Sequence, residues 1–284
     1  MSALLSVQNV SLSFRRGQAR VFENLSFDVL PGEVAVIVGD SGSGKTTLLH
    51  LIAGFIRKYE PPRTISEYLW RGVFPEPRDI SVDGTILIGG KDVGQTAPSQ
   101  RDIGLVMQRF SLYPNLTVLE NISVPLHARG VALDQIEQEA RRIADQVHIT
   151  FPLTRRPNEL AGGQQQRVAI GKLLARDPLL ALCDEAFSNL DWKLRQTLRE
   201  EVIHELKRRS KNGVQCGVLF VSHDLEDAKE ADRIIYLKRT DEDAHAGRPA
   251  TFHHFDGGRR VAWDRFCRAT DYHVIQLVGL GSVC

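Results

Sequence analysis

Val34-Ala35-Val36-Ile37-Val38-Gly39-Asp40-Ser41-Gly42-Ser43-Gly44-Lys45-Thr46 changes character twice within a short span. A continuous apolar run suits a strand of a parallel sheet covered on both faces. It ends in a glycine-rich turn that fits GxxxxGK[ST], and a helix-forming run from Lys45 to Phe55 follows. Strand, turn and helix in that order form a phosphate cradle. Glycines let main-chain N–H groups turn inward around phosphate oxygens, and the helix N-terminus adds partial positive charge. Lys45 can reach the β- and γ-phosphates, and the Thr46 hydroxyl can bind Mg2+. The candidate nucleotide-binding residues here are Gly39, Asp40, Ser41, Gly42, Ser43, Gly44, Lys45, Thr46 and Thr47.

Outward from the cradle, Leu179-Leu180-Ala181-Leu182-Cys183 and Val218-Leu219-Phe220-Val221 are further buried-strand runs. The first is followed by Asp184 and Glu185. An acid at such a strand end can hold Mg2+ through water, and the next acid is placed to polarise an attacking water. An Asp-Glu pair after an apolar run is otherwise a common helix cap, and its pairing with the cradle is what marks it. Asp134 is a candidate cap for a helix burying Ile136, Ala140, Ile143, Ala144 and Val147. Asp191 is a candidate cap for one burying Leu194, Leu198, Val202 and Leu206. Strands alternating with helices indicate an α/β domain. The first thirty residues differ. Val10, Leu12 and Phe14 share one face, as do Leu25, Phe27 and Val29, which indicates half-buried antiparallel strands.

Composition narrows the function. The 284 residues carry 36 Lys plus Arg against 35 Asp plus Glu, a net charge of +1, so a nucleic-acid surface is disfavoured. The longest apolar stretch, Leu48 to Ile56, is far short of the roughly 20 residues a membrane span needs. The N-terminus lacks the basic start and apolar core of a signal peptide. A membrane role must therefore come through partners. The four cysteines, Cys183, Cys216, Cys267 and Cys284, form no CxxC pair and read as reduced thiols. His245, His253, His254 and His273 match no tetrahedral metal pattern. Residues 57–82 hold Pro61, Pro62, Pro75 and Pro77 with Tyr68, Trp70 and Phe74, an insertion whose aromatics form either a local plug or a partner surface. Beyond about Thr240 the pattern decays into a tail too short for a substantial second domain.

Leu160-Ala161-Gly162-Gly163-Gln164-Gln165-Gln166-Arg167 resembles the signature sequence of ATP-binding cassette (ABC) ATPases. Other motifs fall in that family's order. Gln108 resembles the Q-loop glutamine, Ser188-Asn189-Leu190-Asp191 the D-loop, His223 the switch histidine, and Phe14 the aromatic that stacks on adenine. On its own, Phe14 has a second reading as a face-buried strand residue. The resemblance covers about residues 4–240. It implies a P-loop NTPase core with a helical subdomain at about 109–165, an antiparallel β subdomain, and a C-terminal tail over 241–284. It implies ATP and Mg2+ as cofactors. Glu185, His223 and Gln108 would be catalytic, with Thr46, Gln108 and Asp184 at the metal. Ala161, Gly162, Gly163 and Gln164 would face the nucleotide held by a second ATPase subunit, identical or different.

Ala186-Phe187-Ser188-Asn189-Leu190-Asp191 with Arg101-Asp102-Ile103-Gly104 is similar to bacterial importer ATPases. That likeness implies transmembrane permease partners, a solute-binding protein, and a peripheral position on the cytoplasmic face of the membrane. Alternative readings are a soluble non-transport ABC ATPase and a low-turnover regulatory nucleotide-binding subunit. Two positions depart from the family pattern. Ala161 replaces the signature serine, and Ala186 stands where proline is usual.

Overall fold

Period-two patterning near the N-terminus produces two paired strands, β1 (Leu5–Ser13) and β2 (Arg20–Val29), antiparallel with Leu5 opposite Val29 and Val7 opposite Phe27. The computed structural model describes residues 2–14, 20–57, 80–107, 112–187, 192–208, 210–211, 213–222, 228–229, 231–239, 249–256 and 258–270, with main chain alone at 192–194, 210–211, 214, 259 and 261. The chain divides into two compact units. One comprises Met1–Leu30, Ala35–Arg101 and Ser222–Cys284, the other Pro31–Val34 and Asp102–Val221.

In the first unit, β1 also pairs with β4 (Ser81–Ile88), and β5 (Lys91–Asp92) completes a sheet of order β2-β1-β4-β5. A bulge at Asn9, whose φ is 50°, switches the buried parity of β1. Leu5 and Val7 face the core before it, and Val10 and Leu12 after it. Phe14 follows the end of β1 and is 46% exposed, so burial on the strand face is corrected. Ser81 and Val82 pair with Ser13 and Leu12, so the last two residues of the 57–82 stretch belong to β4. Tyr68, Trp70 and Phe74 lie outside the described residues.

β3 (Val34–Gly39) runs parallel to β11 (Arg233–Lys238) and leads into α1 (Lys45–Ala53), which buries Leu48, Leu49, Leu51 and Ile52. Part of the tail forms regular structure. β12 (Thr251–Phe255) adds antiparallel to β11, and α6 (Arg259–Thr270) follows. Phe266 of α6 sits edge-on to Tyr236 and Phe255, with centroids 5.7 Å apart in each pair. Residues 251–270 thus share a unit with Ala35–Gly39 of β3 and with α1.

In the second unit, β6 (Ile103–Val106), β7 (Leu180–Asp184) and β10 (Gly217–Val221) are parallel with β7 central, and all five β7 residues are buried. Helices α2 (Val118–Ala128), α3 (Leu133–Gln146) and α4 (Gly162–Arg176) pack on one another. Thr117 and Glu120 form a reciprocal capping box on α2. Ala132, not Asp134, is the N-cap of α3; Asp134 lies in the first turn, where its charge meets the positive end of the helix dipole. The expected buried set of Ile136, Ala140, Ile143, Ala144 and Val147 is found. α5 (Trp192–Arg208) buries Leu198, Val202 and Leu206 and is followed by a hairpin of β8 (Ser210–Lys211) and β9 (Val214–Gln215). Asp191 and the Leu194 side chain lie outside the description.

Candidate functional site

The loop between β3 and α1 has the geometry of an anion cradle. Gly42 and Gly44 have φ of 76° and 96°, and Gly44 is the N-cap of α1 with no side-chain cap. The first N–H groups of the helix are therefore not taken by a capping side chain. Glycine is required at two positions for separate reasons. A Cβ on Gly39 would collide with the Leu237 carbonyl, and one on Gly44 would lie 2.6 Å from Val21 Cγ1.

Lys45 is only 4% exposed. Its Nζ folds back over the loop and donates to the Gly39 and Asp40 carbonyls, 2.8 Å each. Ser41, Gly42 and Thr46 are exposed, Thr47 is half-buried, and the Ser43 hydroxyl is buried with no hydrogen-bond partner among the described residues. Asp40 Oδ2 accepts from the Arg239 main-chain N–H at 3.2 Å. Ser222 N donates to Ile37 O at 3.0 Å, which fixes the chain next to the switch position. His223, Gln108 and Ser188–Asp191 lie outside the described residues.

The acid pair and the signature belong to the second unit. Asp184 ends β7 and is 4% exposed. Glu185 has φ 50°, a left-handed conformation that costs a non-glycine residue roughly 1–2 kcal/mol. Its N–H donates to Val221 O at 3.1 Å, and its carbonyl accepts from Gln166 Nε2 at 3.5 Å. Gln166 is fully buried on α4. The signature helix thus touches the main chain of the acid it precedes in sequence.

At the start of α4, Gln164 Oε1 accepts from the Ala161 N–H at 3.0 Å. The reciprocal half of a capping box is missing, because alanine has no side-chain acceptor. Gly162 faces open space. Burial pushes the Cys183 thiol far up, with Cys216 and Asp184 adding to the effect, so it is inert packing.

The donor types of the first unit, a lysine, uncapped helix N–H groups and the Thr46 hydroxyl, suit a phosphate with a hard cation, and the Asp184 carboxylate of the second unit is of the type such a cation takes. Among the described residues there is no cluster of three or more His, Cys, Asp or Glu with metal-binding geometry. His253 and His254 are exposed neighbours on β12. Sequence reading found the cradle and the acids but missed Gln166 and Arg239. Gln166 was hidden in a glutamine run, and nothing local marks Arg239.

A family model described as ABC transporter matches residues 22–188. The sn-glycerol-3-phosphate import ATP-binding protein UgpC of Chromobacterium violaceum is 37% identical over 238 residues, 84% of this chain and 57% of that protein. The maltose/maltodextrin import ATP-binding protein MalK of Escherichia coli K12 is 34% identical over 261 residues, 92% of this chain and 62% of that protein. The chain thus spans about three-fifths of the length of these curated relatives. A dimeric ATP-binding cassette solved in a post-hydrolysis state with ADP and Pi superposes with a TM-score of 0.66 at 26% identity, over 89% of this chain and 99% of that one. The fold is that of an ABC cassette with P-loop NTPase architecture. A cradle loop, a signature helix and a strand-end acid pair in this order, matched over more than half the chain, have one source: the chain belongs to the ABC transporter family.

Proposed function

We propose that the chain binds and hydrolyses ATP as the nucleotide-binding subunit of an ABC importer. The observation that carries this reading is Lys45, buried in a glycine loop with its Nζ donating to two main-chain carbonyls that a phosphate can replace. On binding, Lys45 moves from Gly39 O and Asp40 O to the β- and γ-phosphate oxygens, and the first N–H groups of α1 donate to the same anion. Phe14 offers an exposed ring for adenine. Thr46 and Asp184 would hold Mg2+, which supplies charge neutralisation on the phosphates when bound. Glu185 orients a water for in-line attack on the γ-phosphorus. The bond from that phosphorus to the bridging oxygen breaks, ADP departs, and the water's proton passes to the Glu185 carboxylate. By the family resemblance, Gln108 and His223 would be the further catalytic residues.

Ala161, Gly162, Gly163 and Gln164 present the α4 N-terminus to the γ-phosphate held by a second ATPase subunit, identical or different. Hydrolysis removes that bridge, and the opening drives transmembrane permease subunits supplied with solute by a binding protein. No helix among the described residues is long and apolar enough to cross a membrane, which fits a peripheral place on the cytoplasmic face. The near-neutral net charge of +1 argues against a nucleic-acid partner.

The test is nucleotide binding by the full chain, read by titration with a fluorescent ATP analogue, together with phosphate release. Lys45→Ala should abolish both, and permease co-expression should bring the chain to membranes. A wild-type chain that binds no nucleotide overturns the reading.

A further inference from the structure

The phosphate loop is held from outside as well as from within. Gly39 lies opposite Leu237 in the β3–β11 register, and the two strands approach so closely there that no Cβ fits on Gly39. The end of β11 is thereby fixed alongside the loop. Two residues further on, the Arg239 N–H donates to Asp40 Oδ2 at 3.2 Å, and Arg239 Nη1 donates to Gly42 O at 3.5 Å. The Arg239 Nε is buried with no hydrogen-bond partner among the described residues. Asp40 is gripped on two sides. Its carbonyl accepts from Lys45 on the inner side, and its carboxylate accepts from Arg239 on the outer side.

These two grips respond differently to phosphate. Lys45 has one ammonium group, with three donors. When these turn to phosphate oxygens, Gly39 O and Asp40 O lose their clasp. The Arg239 bonds to Asp40 and Gly42 use none of the donors that phosphate needs, so they persist. Asp40 is otherwise an odd choice for this place, because a carboxylate repels an incoming triphosphate. Its side chain is exposed, which screens that repulsion.

We propose that Asp40 is a positioning residue whose hydrogen bond from Arg239 keeps the phosphate loop in its open, N–H-inward shape while Lys45 changes partners. The inference rests on the nucleotide-binding reading above.

Asp40→Asn separates the hydrogen bond from the charge, since it keeps an acceptor oxygen and removes the carboxylate. Asp40→Ala removes both. Affinity is read on the full chain by titration with a fluorescent ATP analogue, KM and kcat from phosphate release, and folding from thermal melts. A neutral hydrogen bond of ordinary strength corresponds to about a threefold to tenfold change in affinity. The expected result is that Asp40→Ala weakens binding and raises KM by that factor at unchanged kcat. Asp40→Asn should bind more tightly than Asp40→Ala, since its acceptor replaces the carboxylate's. Asp40→Ala binding as tightly as Asp40→Asn, or a fall in kcat instead of a rise in KM, overturns the brace. Lys45→Ala is the control that separates the two ideas. If wild type binds and Lys45→Ala does not, a flat Asp40 series removes the brace alone. If wild type binds no nucleotide, the nucleotide reading and the brace fall together.

Discussion

Arg101 Nη1 donates to the Ile52 carbonyl at 2.6 Å and thereby closes the helix that begins at Lys45. The same nitrogen reaches Leu51 O at 3.0 Å, Nη2 donates to Val93 O at 2.6 Å, and Nε to Thr96 O at 3.0 Å. All four acceptors are main-chain carbonyls, two of them from the last turn of α1, where the helix dipole is negative. Gly54 ends the helix in the left-handed region, and a Cβ there would lie 2.6 Å from Arg101 Nε. Arg101 is 2% exposed, and burial, with Arg57 adding, lowers its pKa to about 10.

Removing this side chain strands several buried carbonyls and leaves a cavity. Arg101→Ala should therefore cost about 3–5 kcal/mol of stability. Arg101→Lys keeps the charge but not the fork, and should recover less than half of that loss. Urea unfolding of the three proteins measures it. A loss below about 1 kcal/mol for Arg101→Ala would show that the fork does not hold α1 in place.

Glu185 pairs a proposed catalytic carboxylate with a strained main chain, and two substitutions separate these properties. Both Glu185→Gln and Glu185→Gly remove the base, and turnover should fall about 10²- to 10⁴-fold in each. Only glycine relieves the φ of 50°. Its greater chain entropy offsets part of that relief, leaving Glu185→Gly about 0–1 kcal/mol more stable than Glu185→Gln. Thermal melts of the two variants compare directly. A glycine variant that melts well below the glutamine one contradicts the strain argument.

Burial also sets thiol chemistry. Cys183, Cys216 and Cys267 are all buried, and desolvation raises the Cys183 pKa, so thiolate is scarce at neutral pH. The native chain should show none of these three reacting with an aromatic disulfide reagent, whereas denaturant should release all of them. Fast native labelling at Cys183, mapped by peptide mass, would refute its placement inside β7.

What could be read from sequence follows from how locally each feature is encoded. β3, β7 and β10 were legible because strands buried on both faces need uninterrupted apolar residues. The cradle was legible because close main-chain approach at Gly39 and the left-handed turn at Gly44 demand glycine. Phe14 was counted with the Val10 and Leu12 strand face because period-two counting assumes that the strand continues, while β1 ends at Ser13 and leaves the ring exposed. Asp134 was taken as a cap by residue type, yet the turn at Gly130, φ 76°, starts the helix two positions earlier than that cap allows. Thr251-Phe252-His253-His254-Phe255 gives little strand signal because β12 lies at the edge of its sheet and exposes both histidines. No pattern links Arg101 to Ile52 or Arg239 to Asp40, since fold topology alone makes each pair neighbours.

Ala161 carries the last prediction, because one missing hydroxyl has two separable consequences. The first lies within the chain. Gln164 already caps the Ala161 N–H, and a serine oxygen would accept from the Gln164 N–H in return, completing the box at the start of α4. Ala161→Ser should then stabilise the isolated chain by about 0.5–2 kcal/mol. The second consequence requires the assembled ATPase pair. A serine hydroxyl can accept from its own helix and still donate its proton to a phosphate oxygen across the dimer. Hydrogen bonds to charged groups contribute roughly 1.5–3 kcal/mol, and only the part that grows in the transition state raises the rate. The Gly162 and Gly163 N–H groups already supply some of that stabilisation, so turnover should rise about threefold to tenfold, with tenfold corresponding to 1.4 kcal/mol. If the chain pairs instead with a different ATPase subunit, Ala161 serves only the partner's nucleotide. The Lys45 site then keeps its rate while the partner's site gains. Thermal melts of the isolated chain and phosphate release from homodimer and mixed complex, measured side by side, distinguish these cases. A stabilised chain whose homodimer turns over no faster would assign Ala161 to helix capping alone and reject the lost phosphate donor.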